Sequence, residues 1–126
     1  MPKLSFSLVS PERELFSGEA DSVSIPGTEG VFEVQAGHSP LMSTLSPGML
    51  TIRDGSRERK LYVRGGFADV SPDGLTVLAE TAIPEDELKG DVLGAQKQAA
   101  QKALSADLSP EQQLEAQRAV DVLSTY

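Results

Sequence analysis

Cysteine and tryptophan are absent, and histidine occurs once, among the 126 residues of this chain. Without cysteine there is no disulfide framework, no thiolate zinc site and no cysteine nucleophile. A lone histidine, His38, excludes a two-histidine metal site or a histidine relay built within one chain. Aromatic residues make up only 5%, so the flat stacking platforms of sugar and single-strand binders are scarce. Basic residues are few as well. Eleven Lys and Arg face nineteen Asp and Glu, a formal charge of −8, which repels a phosphate backbone and excludes nucleic acid as an expected partner. No stretch approaches the roughly 20 apolar residues that span a bilayer, and Met1 to Ser5 lacks the apolar region of a secretion signal. The expectation is a soluble chain in a reducing compartment, with no direct membrane insertion.

What is present suffices for one modest core, since 39% of the residues are hydrophobic and a chain this long hides about two-thirds of its unfolded surface. The hydrophobic rhythm changes near Pro84, dividing residues 1–84 from residues 85–126. Before that point apolar residues alternate. Leu4, Phe6 and Leu8 alternate with serines, as do Val23 and Ile25, and Val31, Phe32 and Val34 resume after Gly30; period two is the mark of half-buried strands. Pro26-Gly27 reads as the break between two strands. Asp54-Gly55 and Ser71-Pro72-Asp73-Gly74 are hairpin-turn sequences. Arg57, Arg59, Lys60 and Arg64 lie on one of these hairpins and suit a charge-guarded edge strand. Strands punctuated this closely imply a sandwich or barrel of ten or fewer strands.

After Pro84 the spacing becomes helical. Glu85, Asp86 and Glu87 crowd the expected first turn, where a helix's positive end favours anions. Leu88, Val92, Ala95 and Ala99 form one expected stripe, and a stop is expected at Ser105 to Leu108. Ser109, Pro110 and Gln112 then make a capping box with proline at the first helical position. Ala116, Ala119, Val120 and Leu123 make the second stripe. Two helices with so short a connection pack antiparallel. Their alanine-rich stripes bury little area, and Gly90 and Gly94 each cost about 1 kcal/mol relative to alanine. The hairpin is therefore expected to dock conditionally, with the sandwich and a partner both open as resting places.

Residues arranged for bond making are not found. No serine lies in a Gly-x-Ser-x-Gly elbow. Pro26-Gly27-Thr28-Glu29-Gly30 lacks the Lys-Ser/Thr ending of a phosphate cradle and reads as a tight turn. The carboxylates are surface and helix-start charges. The reading is a non-enzymatic binding or assembly protein with no cofactor and no metal.

Several segments, in order, resemble the epsilon subunit family of bacterial ATP synthases, the counterpart of the mitochondrial delta subunit. They are Leu15 to Glu19, Val23 to Val34, Gly37-His38-Ser39-Pro40-Leu41, Leu45-Ser46-Pro47-Gly48, Gly65 to Val70 and Ala79 to Ile83. The resemblance implies an α+β fold, a ten-stranded β-sandwich followed by a two-helix hairpin. It also implies a rotor subunit at the cytoplasmic face of the bacterial inner membrane, clamped to the gamma shaft and seated on the c-ring. Gly27, Thr28, Glu29, Gly30 and Val31 would form the c-ring interface. Ser10, His38 and Ser43 would face gamma, and the hairpin would reach the alpha and beta subunits of the head.

The arm departs from that pattern. The Ile/Leu-Asp-x-x-Arg-Ala signature with which some members hold ATP is replaced by Leu88-Lys89-Gly90-Asp91-Val92-Leu93, which lacks both acid and base at the required positions. Residues 110–126 carry one base, Arg118, against Glu111, Glu115 and Asp121. That opposes approach to an acidic loop of the head, and the second helix reaches only to Tyr126. The expectation is no ATP binding and weak or absent inhibition of hydrolysis. The competing reading is a free-standing β-sandwich that binds a ligand or dimerises through its hairpin.

Overall fold

The computed structural model describes residues 3–105 and 109–126. Eight strands come first: β1 (Leu4–Val9), β2 (Glu14–Ala20), β3 (Ser22–Gly27), β4 (Gly30–Val34), β5 (Leu41–Thr44), β6 (Gly48–Asp54), β7 (Arg57–Val70) and β8 (Gly74–Pro84). A single 3₁₀ turn at Glu85–Glu87 leads to α1 (Gly90–Ser105) and α2 (Pro110–Leu123).

Among the described residues the strands number eight rather than the expected ten, and β7 and β8 explain the difference. Residues 57–63 of β7 pair with β6, whereas residues 67–70 pair with β5. Likewise β8 pairs with β1 over residues 74–78 and continues along β7 to Pro84. Each long strand thus belongs to two half-sheets. One half-sheet holds β4, β3, β6 and the adjoining ends of β7 and β8. The other holds β2, β1, the remaining parts of β8 and β7, and β5. Counted by half-sheet, there are five strands on each side. The crossing point is Gly65-Gly66, with φ of 73° and 97°, a left-handed region open to glycine and strained for other residues.

Leu4, Phe6, Leu8, Ile25, Leu50 and Val77 belong to one continuous buried cluster drawn from both half-sheets. Each such side chain contributes about 1.5–3 kcal/mol on burial. The alternation read from β1 is therefore the core-facing pattern. One corner is closed by a bridge between Gly27 and Leu45 and by the Thr28 N–H donating to the Thr44 carbonyl at 3.1 Å. Pro26-Gly27 does not break a strand: both residues lie in β3, and the β3–β4 turn is the pair Thr28-Glu29.

The helices rest on the sandwich. Tyr62 points away from the main core, opposite its neighbours Leu61 and Val63, and packs with Leu88, Ala100, Ala119 and Leu123. The second stripe and the capping box stand as read. The Ser109 hydroxyl accepts from the Gln112 N–H at 3.2 Å, and the Ser109 N–H donates to the Gln112 side chain at 3.1 Å. The first stripe does not. Val92, Ala95 and Ala99 are exposed, while Leu93 is half-buried and Ala100 fully buried. Leu88 and Lys89 separate the acidic turn from α1, which opens at Gly90 with φ 59°, so Glu85 to Glu87 lie before the helix and the inward face is rotated by one residue. Leu88 is buried from outside the helix. Beyond Ser105, the expected stop falls outside the described residues.

Candidate partner-binding surface

The β3–β4 hairpin closes with Gly27 opposite Gly30, leaving Thr28 and Glu29 as its tip. Gly27 is buried against the Phe32 ring and the Ser43 hydroxyl, so no side chain fits there without movement. Glu29 and Gly30 are exposed, and Val31 is 73% exposed. The Thr28 and Thr44 hydroxyls lie 3.0 Å apart, joining the tip to the end of β5.

Beside this tip is a hollow of 490 Å³ lined by Val31, Phe32, Leu41, Met42 and Ser43 together with the turn itself. Met42 is 65% exposed and Leu41 43%. Three of the seven exposed large apolar side chains among the described residues thus gather around one acidic turn. Scattered apolar residues are ordinary on a protein surface; a gathered set marks a site of association.

A second hollow, of 410 Å³, is lined by Val9, Ser10, Pro11, Phe67 and Leu78 among others. It lies on the other half-sheet, where Val9 pairs with Leu78, Leu78 with Phe67 and Phe67 with Thr44. That row ends at Thr44, beside the turn, so the two hollows share one end of the molecule.

The residues expected to face gamma are not brought together. Ser10 is buried at this end, exchanging hydrogen bonds with Arg13. Ser43 lines the hollow at the turn. His38 sits at the opposite end of β5, where the neighbouring Gly37 N–H donates to the Pro72 carbonyl at 3.1 Å and the His38 ring lies 2.7 Å from the Ser39 carbonyl. Sequence reasoning missed Met42, Phe67 and Leu78 as surface residues. In β7 and β8 the strand crossing turns one face of an alternating run outward, and no local pattern marks where.

Near the carboxyl end, the Tyr126 hydroxyl donates to Glu85 Oε2 at 2.5 Å. Partial burial, and then this bond, push its phenol up to about 12. Burial also raises the Tyr62 phenol. Among the described residues, the Tyr62 hydroxyl is the buried side-chain polar atom left without a partner. No cluster of three or more potential metal ligands is present among those residues, and no helix is long and apolar enough to cross a membrane.

Residues 3–85 match the family model for the ATP synthase delta/epsilon chain β-sandwich domain. The ATP synthase epsilon chain of Caulobacter vibrioides is 58% identical over 83 residues, covering 66% of this chain and 96% of that relative. The corresponding chain of Bradyrhizobium sp. strain BTAi1 is 41% identical over 126 residues, all of this chain and 90% of its own length. A solved chain of the Euglena gracilis mitochondrial ATP synthase superposes with a TM-score of 0.73 at 20% identity, covering 98% of this chain and 79% of that one; at that identity it supports the fold alone. These findings displace the reading as a free-standing ligand-binding or dimerising sandwich: the chain belongs to the ATP synthase delta/epsilon chain family.

Proposed function

We propose that this chain is a central-stalk subunit that couples rotation of a c-ring, through gamma, to ATP synthesis in the catalytic head. It carries no chemistry of its own. Residues 1–84 act as a stiff foot, because a close-packed core resists shear, and residues 85–126 as an arm. Gly27, Thr28, Glu29, Gly30 and Val31 face the ring, with Glu29 able to pair with a ring cation. Ser10, His38 and Ser43 face gamma, and Ser43, in the hollow beside Val31, marks the seam between the two contacts. The complex lies against the cytoplasmic face of a bacterial inner membrane.

The observation that carries this reading is the gathering of Val31, Leu41 and Met42 around the acidic turn. A chain without cysteine makes single-cysteine variants clean probes. In the assembled enzyme, cross-linkers at Val31→Cys should capture a ring subunit and at His38→Cys gamma. Capture of the head's outer surface from both positions would sink the assignment.

The arm neither binds ATP nor strongly inhibits hydrolysis. Lys89 and Val92 stand where an ATP-holding acid and base are needed. Calorimetry with ATP should therefore show no binding, and a micromolar dissociation constant would refute that. The single base of α2 is also already engaged by the sandwich.

A further inference from the structure

We propose that Arg118 is a positioning residue for the Thr28-Glu29 turn, so that docking of the helical hairpin and seating of the turn on its partner favour each other. This rests on the reading of the turn as ring-facing. From α2, Arg118 Nη1 donates to the Thr28 carbonyl at 3.3 Å and to the Ser46 hydroxyl at 3.0 Å. Ser46 is buried, and its N–H donates to the Pro26 carbonyl at 2.8 Å. One guanidinium thus ties together the end of β3, the tip of the β3–β4 hairpin and the segment leading into β6. A planar fork of donors suits such a junction better than an ammonium does.

The Thr28 N–H is already spent on Thr44, so Arg118 meets the group that the turn's own pairing leaves over. Charge adds a second reason. The cleft between turn and helix is lined by Glu29, Glu111 and Glu115 as well as Arg118. Arg118 is the cation among the residues lining this cleft. Without it, α2 brings two acids toward a third across a space of 410 Å³, and like charges repel, modestly where solvent screens them. Arg118 therefore holds the hairpin down and the turn in its docked shape by the same contacts. A partner that selects that shape strengthens docking, and a docked hairpin strengthens binding of that partner by the same factor.

The test uses the full chain. The Glu29 amide nitrogen is bonded to the Thr28 carbonyl carbon, so its ¹⁵N resonance reports on the hydrogen bond that carbonyl accepts. Arg118→Gln is expected to move that resonance and to speed exchange of the Glu29–Val31 amides about fivefold, the lower end of ordinary coupling between sites. Strand amides at Val23 and Val63 should not change, and Arg118→Lys, which keeps the charge but not the planar fork, should recover only part of the effect. Release of the subunit from the ring-bearing complex should quicken by a similar factor in Arg118→Gln. An unmoved Glu29 resonance alongside faster exchange in α2 would overturn the proposal, since Arg118 would then pin the hairpin alone. Failure of Val31→Cys to reach the ring, with the Glu29 response intact, would overturn the ring linkage separately.

Discussion

Gly66→Ala is expected to remove a large share of the fold's stability. A Cβ built on Gly66 would lie 1.9 Å from the Leu78 carbonyl oxygen and 2.9 Å from the Ala79 Cα. Both obstacles are backbone, held by the β7–β8 ladder, in which Gly66 opposes Ala79. The side chain cannot rotate out of the way, because a methyl has no rotamer that avoids it, and the residue must also keep φ at 97°. Left-handed strain contributes about 1–2 kcal/mol, and separating two central strands costs more. The sum, about 4 kcal/mol or above, is among the largest single-substitution effects and is a large fraction of a stability of roughly 5–15 kcal/mol. Urea denaturation followed by circular dichroism measures it. A loss of only about 1 kcal/mol, the ordinary cost of alanine in that region of φ, would mean that the crossing relaxes freely.

Leu123→Ala is expected to release the hairpin while leaving the sandwich intact. Leu123 is fully buried against Tyr62, Leu88, Ala100 and Ala119. Truncating such a leucine costs about 2–5 kcal/mol. Little remains to absorb that loss: two of the other four residues in the buried cluster are alanines, and the Tyr62 hydroxyl is buried without a partner, a desolvation penalty of about 1–3 kcal/mol. Hydrogen exchange should show α1 and α2 losing protection while β1 and β7 keep theirs. Simultaneous loss in both would contradict separate release.

Raising the pH should loosen the same docking in the same direction but by less, because Tyr126 is partly exposed and solvent screens its bond to Glu85. Partial burial and the bond to Glu85 push the docked Tyr126 phenol up to about 12, against about 10 when free. Its contribution is fully present below pH 10 and disappears as pH rises from 10 to 12. In the assembled enzyme, Leu123→Ala should change ATP hydrolysis less than twofold. A several-fold rise would show that the docked arm restrains the head.

The sandwich was largely legible because its residues alternate cleanly: Leu4, Phe6 and Leu8 are buried as their spacing requires. The α2 stripe and its capping box were legible for the same reason, since each depends on neighbours within one or two turns. The inward face of α1 is hard to read because alanine and glycine carry little contrast: Ala99 is exposed and Ala100 buried, and nothing in their residue type tells them apart. The strand count depended on two strands crossing between half-sheets, a tertiary event without a local signature. Motif resemblance identified the family, yet it could not indicate that His38 and Ser10 lie at opposite ends of a half-sheet. Nor could it reveal the bond from Arg118 to a carbonyl 90 residues away, because any residue offers such a carbonyl.

The crossing of β7 and β8 has a mechanical corollary. In a sandwich whose faces touch only through side chains, a torque applied to one face is resisted by interdigitation, and the faces can creep past each other. Here two neighbouring covalent chains run from one face into the other, so the same torque loads peptide bonds and a hydrogen-bonded ladder in tension. The hinge that permits this continuity, two adjacent glycines, is therefore also where fatigue under repeated turning would begin.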